Sequence, residues 1–203
     1  MLTAAARSVL RPMGLVQKGR SRIWLDDHQW WLCVVEFQPS AWSRGSYLNV
    51  GCNWLWLVKD YISFDEGYRV EPFADFRGED QFEQAATQLA DSAAKEVKRY
   101  RALFPNIAKV CEYYQNQEVA NGWPCYHAGI VCALADKIEA ARAFFKRFAE
   151  PRDNNEFVAN AQDDSSLLAS LVGTNEIREL LADRVRQTRE IQKLPAVARL
   201  SFE

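Results

Sequence analysis

Three amide side chains lie on two neighbouring segments that are predicted to be strands. Asn49 and Asn53 share one face of the segment 46–60. Gln38 is the last residue of the preceding strand, and Ser40 lies in the loop that follows it. Amides can orient a bound substrate, but they are neither nucleophiles nor bases, and Glu36 is the acid that shares a strand face with Gln38. The cluster of Gln38, Ser40, Asn49 and Asn53 predicts a polar pocket floor or, alternatively, amides that satisfy buried hydrogen-bonding groups.

The residues needed for a recognisable catalytic or metal site are missing. The chain has two histidines, and it contains no glycine-rich phosphate loop, no GxSxG and no HExxH. Asp26, Asp27 and His28 are consecutive, so on a strand they would alternate between faces and could not converge on one metal ion. Their polar sequence is instead typical of a solvated turn. The five cysteines include no CxxC pair, which is typical of free thiols in a reducing cytoplasm. The sequence therefore predicts no enzyme, no metal and no cofactor.

Tryptophan is concentrated in the first third of the chain. Six of the seven tryptophans lie between residues 24 and 56. On strands they can fill a core or form a stacking surface for bases, sugars or a partner protein. Trp42 lies in the polar loop 39–45 beside Arg44 and is the best candidate for an exposed aromatic side chain. The six residues are Trp24, Trp30, Trp31, Trp42, Trp54 and Trp56.

Charge is unevenly distributed although the net charge is only −2. Residues 1–24 contain five basic side chains and no acidic one, whereas residues 60–83 contain eight acidic and two basic ones. We predict that residues 64–77 form a long surface connection that carries a protein-binding face. The alternative is a solvated connector that pairs with the basic N-terminal segment. The residues assigned to the binding face, together with Trp42, are Asp65, Glu66, Glu71 and Asp75.

The hydrophobic period changes along the chain from two to a helical one. Alternation runs from residue 21 to 61, and helical spacing begins near residue 80. Between them we predict a fourth strand through residues 68–70 that Pro72 ends. Strands followed by helices are typical of an α+β protein. We predict an N-terminal helix and an antiparallel meander of 3–5 strands in residues 1–79, then about five helices in residues 80–203 packed on the sheet as one continuous unit. No segment approaches the ~20 apolar residues of a membrane span.

Short motifs in the first third of the chain resemble a bacterial family defined by a domain of unknown function. After an N-terminal helix, its members contain short motifs that approximate GF-K-G, then Q-S, then N-G. The resemblance implies a small cytoplasmic protein with an α+β core, and Leu15 stands where the family tends to have an aromatic residue. The matching residues are Pro12-Met13-Gly14-Leu15, Lys18-Gly19-Arg20, Gln38-Pro39-Ser40 and Asn49-Val50-Gly51.

The leading functional prediction is a non-catalytic, cytoplasmic protein-interaction protein. In its most specific form it is an immunity-like protein whose acidic surface neutralises a toxin. The alternative is a single-stranded nucleic-acid-binding module that uses the tryptophan-rich sheet and the basic segment 18–22, although the net charge of −2 disfavours nucleic acid. The sequence leaves the oligomeric state and the identity of the partner open.

Overall fold

A computed structural model describes residues 1–119 and 121–202. It has an N-terminal helix, an antiparallel sheet and a helical half, which confirms the predicted α+β class. A short 3₁₀ turn at Arg11–Met13 follows the first helix. The helices and strands are α1 (Leu2–Leu10), β1 (Val16–Gln17), β2 (Ile23–Asp27), β3 (Trp31–Gln38), β4 (Gly45–Trp54), β5 (Glu66–Asp75), α2 (Glu79–Leu103), α3 (Ile107–Gln115), α4 (Trp123–Leu134), α5 (Ile138–Ala149), α6 (Glu156–Leu171) and α7 (Asn175–Ile191).

The chain divides into two compact units. The first comprises residues 1–55 and 59–102, and the second comprises Trp56–Val58 and the chain from Leu103 onward. The division falls after α2, so this helix belongs with the sheet, whereas the sequence placed a boundary at residue 79. In the second unit, α4 is buried from Cys125 to Leu134 and pairs with α5. None of the described helices is both long enough and apolar enough to cross a membrane.

The five strands lie in the sheet in chain order, and each is antiparallel to its sequence neighbours. The register between β3 and β4 runs from Trp31 opposite Trp54 to Gln38 opposite Tyr47. Because side chains alternate between faces, four apolar residues of each strand fall on one face of the sheet, and Leu32 and Val34 are buried on the other. Two side chains of α2 form hydrogen bonds to the sheet. Arg101 donates to Asp26, and Ser92 donates to Glu71. The apolar set on the first face is Trp31, Cys33, Val35, Phe37, Leu48, Val50, Cys52 and Trp54.

The segment predicted to be a long surface connection is instead the edge strand β5. It pairs with β4 from Glu66 opposite Cys52 to Asp75 opposite Gly45, with register shifts beside Leu48. Pro72 lies within the strand and is exposed. Proline lacks the N–H group of a ladder hydrogen bond, and an irregular edge strand is where a sheet tolerates it. The expectations that Pro72 ends the strand and that residues 64–77 form a loop are therefore wrong.

Asp26 is buried in an ion pair rather than placed in a solvated turn. It is 6% exposed and lies in β2, next to the last residue of that strand. Arg101 donates from Nε and Nη2 to its two carboxylate oxygens, each at 2.8 Å, and His28 Nε2 lies 2.7 Å from Oδ2. The His28 ring stacks on Trp31 with centroids 4.3 Å apart. The predicted solvated turn is thus wrong for Asp26, while Asp27 is exposed.

We predict that Asp26→Asn removes one contribution to the acid sensitivity of folding. Burial opposes ionisation, but hydrogen bonds from His28 and Arg101 outweigh it and hold the pKa of Asp26 at about 2, below its usual 3.8. A lowered pKa stabilises the folded state above pH ~4, and this contribution is lost as the pH falls from 4 to 2. Urea unfolding at pH 7 should therefore show a loss of about 2 kcal/mol for Asp26→Asn.

The difference between Asp26→Asn and the unmodified protein should shrink as the pH approaches 2. The control is Asp27→Asn, because Asp27 is exposed and its Oδ1 accepts a hydrogen bond from Gln29 N that an amide oxygen can also accept. This variant should unfold like the unmodified protein at every pH. A constant difference for Asp26→Asn across the whole range would contradict the assigned pKa.

Candidate interaction site

Two of the predicted amides meet in a polar ladder across three strands. Asn49 Nδ2 donates to Glu36 Oε2 and to Gln38 Oε1, both at 3.0 Å. Arg69 of β5 donates to Gln38 Oε1 at 3.2 Å and to Asn49 Oδ1 at 3.4 Å, and its guanidinium lies 3.7 Å above the Tyr47 ring. These polar groups satisfy one another, so the ladder joins the strands of the sheet and presents half-buried side chains at its surface.

The other two predicted members of the polar cluster lie elsewhere. Asn53 is fully buried, and its Oδ1 accepts a hydrogen bond from Ser63 Oγ at 2.8 Å. Gly51 separates it from Asn49, and a Cβ at Gly51 would stand 2.2 Å from the carbonyl oxygen of Glu66. The β5 backbone therefore passes close to β4 at this point. Ser40 lies in the loop after β3, so the four residues do not line one pocket.

Asp65, predicted to face solvent, is held inside the first unit. Lys59 Nζ lies 2.9 and 2.8 Å from its two carboxylate oxygens, and the N–H of Trp54 donates to Oδ2 at 2.7 Å. In this ion pair the Lys59 side chain is 3% exposed and the Asp65 side chain is 10% exposed. Burial lowers the pKa of Lys59, although Asp65 acts in the opposite direction. The prediction of a solvent-facing Asp65 is wrong, because its carboxylate is held by Lys59 and by the Trp54 N–H at the end of β4.

The remaining acidic residues do not form one continuous patch. Glu71 is half-buried, and its Oε1 accepts a hydrogen bond from Ser92 Oγ of α2 at 2.7 Å. Glu66 is half-buried at the start of β5. Asp75, at the other end of the strand, pairs with Arg77 Nε at 3.3 Å. The predicted acidic binding face is therefore not continuous. Glu71 is engaged in an internal hydrogen bond, and Glu66 and Asp75 lie at opposite ends of the edge strand.

Trp42 is the most prominent aromatic residue of the surface. It is 95% exposed, at the centre of the loop 39–44 between β3 and β4. The Ser40 side chain organises this loop, since its Oγ accepts hydrogen bonds from the N–H groups of Trp42 at 3.1 Å and of Ser43 at 3.3 Å. A serine that bonds to the backbone two and three residues ahead stabilises a tight turn. Ser40 therefore helps to present the Trp42 indole to solvent.

An open groove of about 600 Å³ lies at the base of this loop, and we call it the Trp42 groove. The Phe76 and Phe82 rings pack with centroids 5.3 Å apart, and the Arg44 guanidinium lies 4.1 Å from the centre of the Phe76 ring. Apolar walls and two arginines thus converge beneath one exposed indole. The lining residues are Met1, Leu2, Thr3, Arg22, Pro39, Ser40, Ala41, Trp42, Ser43, Arg44, Gly45, Phe76 and Phe82.

The chemistry of the groove suits recognition rather than reaction. Its lining residues include no histidine, cysteine, aspartate, glutamate or lysine, so the groove has neither an activated nucleophile nor a side-chain general base. Within residues 1–119 and 121–202, no three His, Cys, Asp or Glu side chains are grouped as metal ligands. The sequence did not connect Arg22, Phe76 or Phe82 with Trp42. They come from different elements, and no local spacing connects them to Trp42.

Comparison with known proteins identifies no relative of this chain. A scan against protein-family models, a search of curated proteins and a search of solved structures each return no match. The resemblance of the first third to a bacterial family therefore stays a prediction.

Proposed function

We propose that this protein is a non-catalytic interaction protein that binds a protein partner through the Trp42 groove. The observation that carries the proposal is the 95% exposure of Trp42 beside a groove lined by Phe76 and Phe82. Tryptophan is enriched among the residues that contribute most to binding, because its large ring removes much apolar surface from water when a partner covers it. A single exposed indole held by an ordered turn fits the role of such an anchor.

The charges of the groove indicate the chemistry of the partner. Arg22 and Arg44 line it, and none of the lining residues is acidic. A guanidinium binds a carboxylate through two parallel hydrogen bonds, so the groove favours an acidic partner segment. An apolar side chain of that segment would pack against the Phe76 and Phe82 rings. The proposed partner is therefore a protein with an acidic segment that contains an apolar residue.

An immunity-like role is the most specific form of this proposal. In this form, the bound partner is a toxin whose activity is blocked in the complex. An acidic face as the toxin-binding surface has little support, since Asp65 and Glu71 are engaged by Lys59 and Ser92. The Trp42 groove is the better candidate surface. We place the interaction in the cytoplasm, which the five reduced cysteine side chains support.

The alternative of nucleic-acid binding by the tryptophan-rich sheet loses its main support. Stacking of bases requires aromatic faces that are open to solvent. Five of the six tryptophans in question are at most 4% exposed, so they are core residues and not a stacking platform. Trp42 is the exception. The five buried residues are Trp24, Trp30, Trp31, Trp54 and Trp56.

Comparative capture from a lysate of the native host tests the proposed function. The unmodified protein, Trp42→Ser and Val16→Ser serve as parallel baits. Val16 is a matched control because it is also an exposed apolar residue of the first unit, at 69%. We expect a partner retained by the unmodified protein and by Val16→Ser but lost with Trp42→Ser. Equal recovery by all three baits, or a partner released by nuclease, would contradict the proposal.

A further inference from the structure

Two buried cysteines face each other in the helical unit. Cys111 of α3 and Cys132 of α4 have their Sγ atoms 3.0 Å apart, and both residues are at most 1% exposed. A disulfide requires the sulfur atoms to approach to about 2.05 Å, so about 1 Å of movement would bring them to bonding distance. The other cysteines, Cys33, Cys52 and Cys125, are also buried. Cys111 and Cys132 are the candidate pair because their sulfur atoms are already in contact.

We propose that Cys111 and Cys132 form a reversible disulfide when the protein meets a peroxide, and that this bond fastens α3 to α4. The site takes hydrogen peroxide or another small hydroperoxide as its oxidant. It is independent of the Trp42 groove, which lies in the first unit.

Cys111 is the thiol that reacts first. The hydrogen bond from the Cys132 thiol lowers the pKa of Cys111, and the same contact raises the pKa of Cys132. Cys111 therefore supplies more of the thiolate, which is the nucleophilic form. Its Sγ also lies 3.5 Å from Oε1 of Gln115, an exposed residue at the end of α3. Opening of this last helical turn gives a small oxidant a route to Cys111.

The oxidation proceeds in two balanced steps. The Cys111 thiolate attacks one oxygen of the peroxide, an S–O bond forms and the O–O bond breaks, and the departing hydroxide takes up the proton that Cys111 released on ionisation and leaves as water. The product is a sulfenic acid at Cys111. The Cys132 sulfur then attacks the Cys111 sulfur, an S–S bond forms, and the S–O bond breaks with loss of a second water. Two thiols are oxidised by two electrons and one hydrogen peroxide is reduced to two waters.

The direct test oxidises the folded protein with hydrogen peroxide, removes the peroxide, and alkylates the remaining thiols in denaturant. We expect three alkylated cysteines instead of the five that the chain contains. Peptide mapping should find the Cys111 and Cys132 peptides linked, and dithiothreitol should separate them again. Because Cys111 and Cys132 are 21 residues apart, the thermal midpoint should rise by roughly 10 °C.

Two variants provide the controls. Cys132→Ala should abolish both the linked peptide and the rise of the thermal midpoint. Cys125→Ala changes another buried cysteine of α4 and should preserve both. Mapping of the unmodified protein decides the question even where a variant fails to fold. Five thiols that survive a peroxide treatment sufficient to oxidise a free dithiol peptide would overturn the proposal. Linked peptides that join other cysteines would also overturn it.

Discussion

Asp65→Asn should lower the free energy of unfolding by about 3 kcal/mol, the largest stability effect that we expect from any acidic residue of the segment 60–83. The substitution keeps the shape of the side chain and an oxygen that can accept the Trp54 N–H. It removes the charge that lies within 3 Å of Lys59 Nζ, where the lysine side chain is only 3% exposed. Removing one partner of a buried ion pair lowers the free energy of unfolding, because the remaining charge stays in a poorly solvated place.

The comparison with Asp75→Asn makes this result specific. Asp75 pairs with Arg77 at the surface, and exposed ion pairs contribute at most about 1 kcal/mol. We expect this control to change the free energy of unfolding by less than ~0.5 kcal/mol. Urea unfolding at pH 7, followed by circular dichroism, measures both variants. If Asp65→Asn unfolds like Asp75→Asn, then Asp65 faces solvent and the acidic binding face predicted from the sequence regains its support.

The periodicity of the chain predicts the sheet well but not its edge. Alternation from Trp31 to Phe37 correctly places these side chains on one face, because the period of a strand is set locally. The sequence predicted only residues 68–70 of β5 as a strand, within a surface connection, because Pro72 and several charged residues reduce the strand signal of the rest. Pairing with β4 outweighs that local preference, and the register shifts beside Leu48 accommodate the irregularity. Such tertiary pairing is not encoded in a local pattern.

The site shows the same division between local and tertiary signals. The position of Trp42 in a polar loop beside Arg44 correctly indicated an exposed indole, because both features are local. The groove itself depends on Phe76 after β5 and on Phe82 of α2, which only the folded chain brings beneath the loop. Asp65 was misjudged for a related reason. Its partner Lys59 lies six residues earlier in an irregular segment, where spacing alone predicts no contact.

Trp42→Ala should weaken partner binding without weakening the fold. A tryptophan that anchors an interface contributes roughly 2–4 kcal/mol, which corresponds to about a 30- to 1,000-fold loss of affinity. The indole is 95% exposed in the free protein, so its removal should change the free energy of unfolding by less than ~0.5 kcal/mol. Trp42→Phe keeps part of the apolar area and should lose less affinity than Trp42→Ala. Arg22→Gln should reduce the salt dependence of binding instead.

Calorimetric titration of the captured partner with the unmodified protein and with Trp42→Ala tests the central claim most directly. The proposal predicts a Kd at least about 30-fold higher for Trp42→Ala, with an unchanged unfolding midpoint and with Val16→Ser close to the unmodified protein. A Kd for Trp42→Ala within twofold of the unmodified value would contradict the claim, and the partner would then bind outside the Trp42 groove.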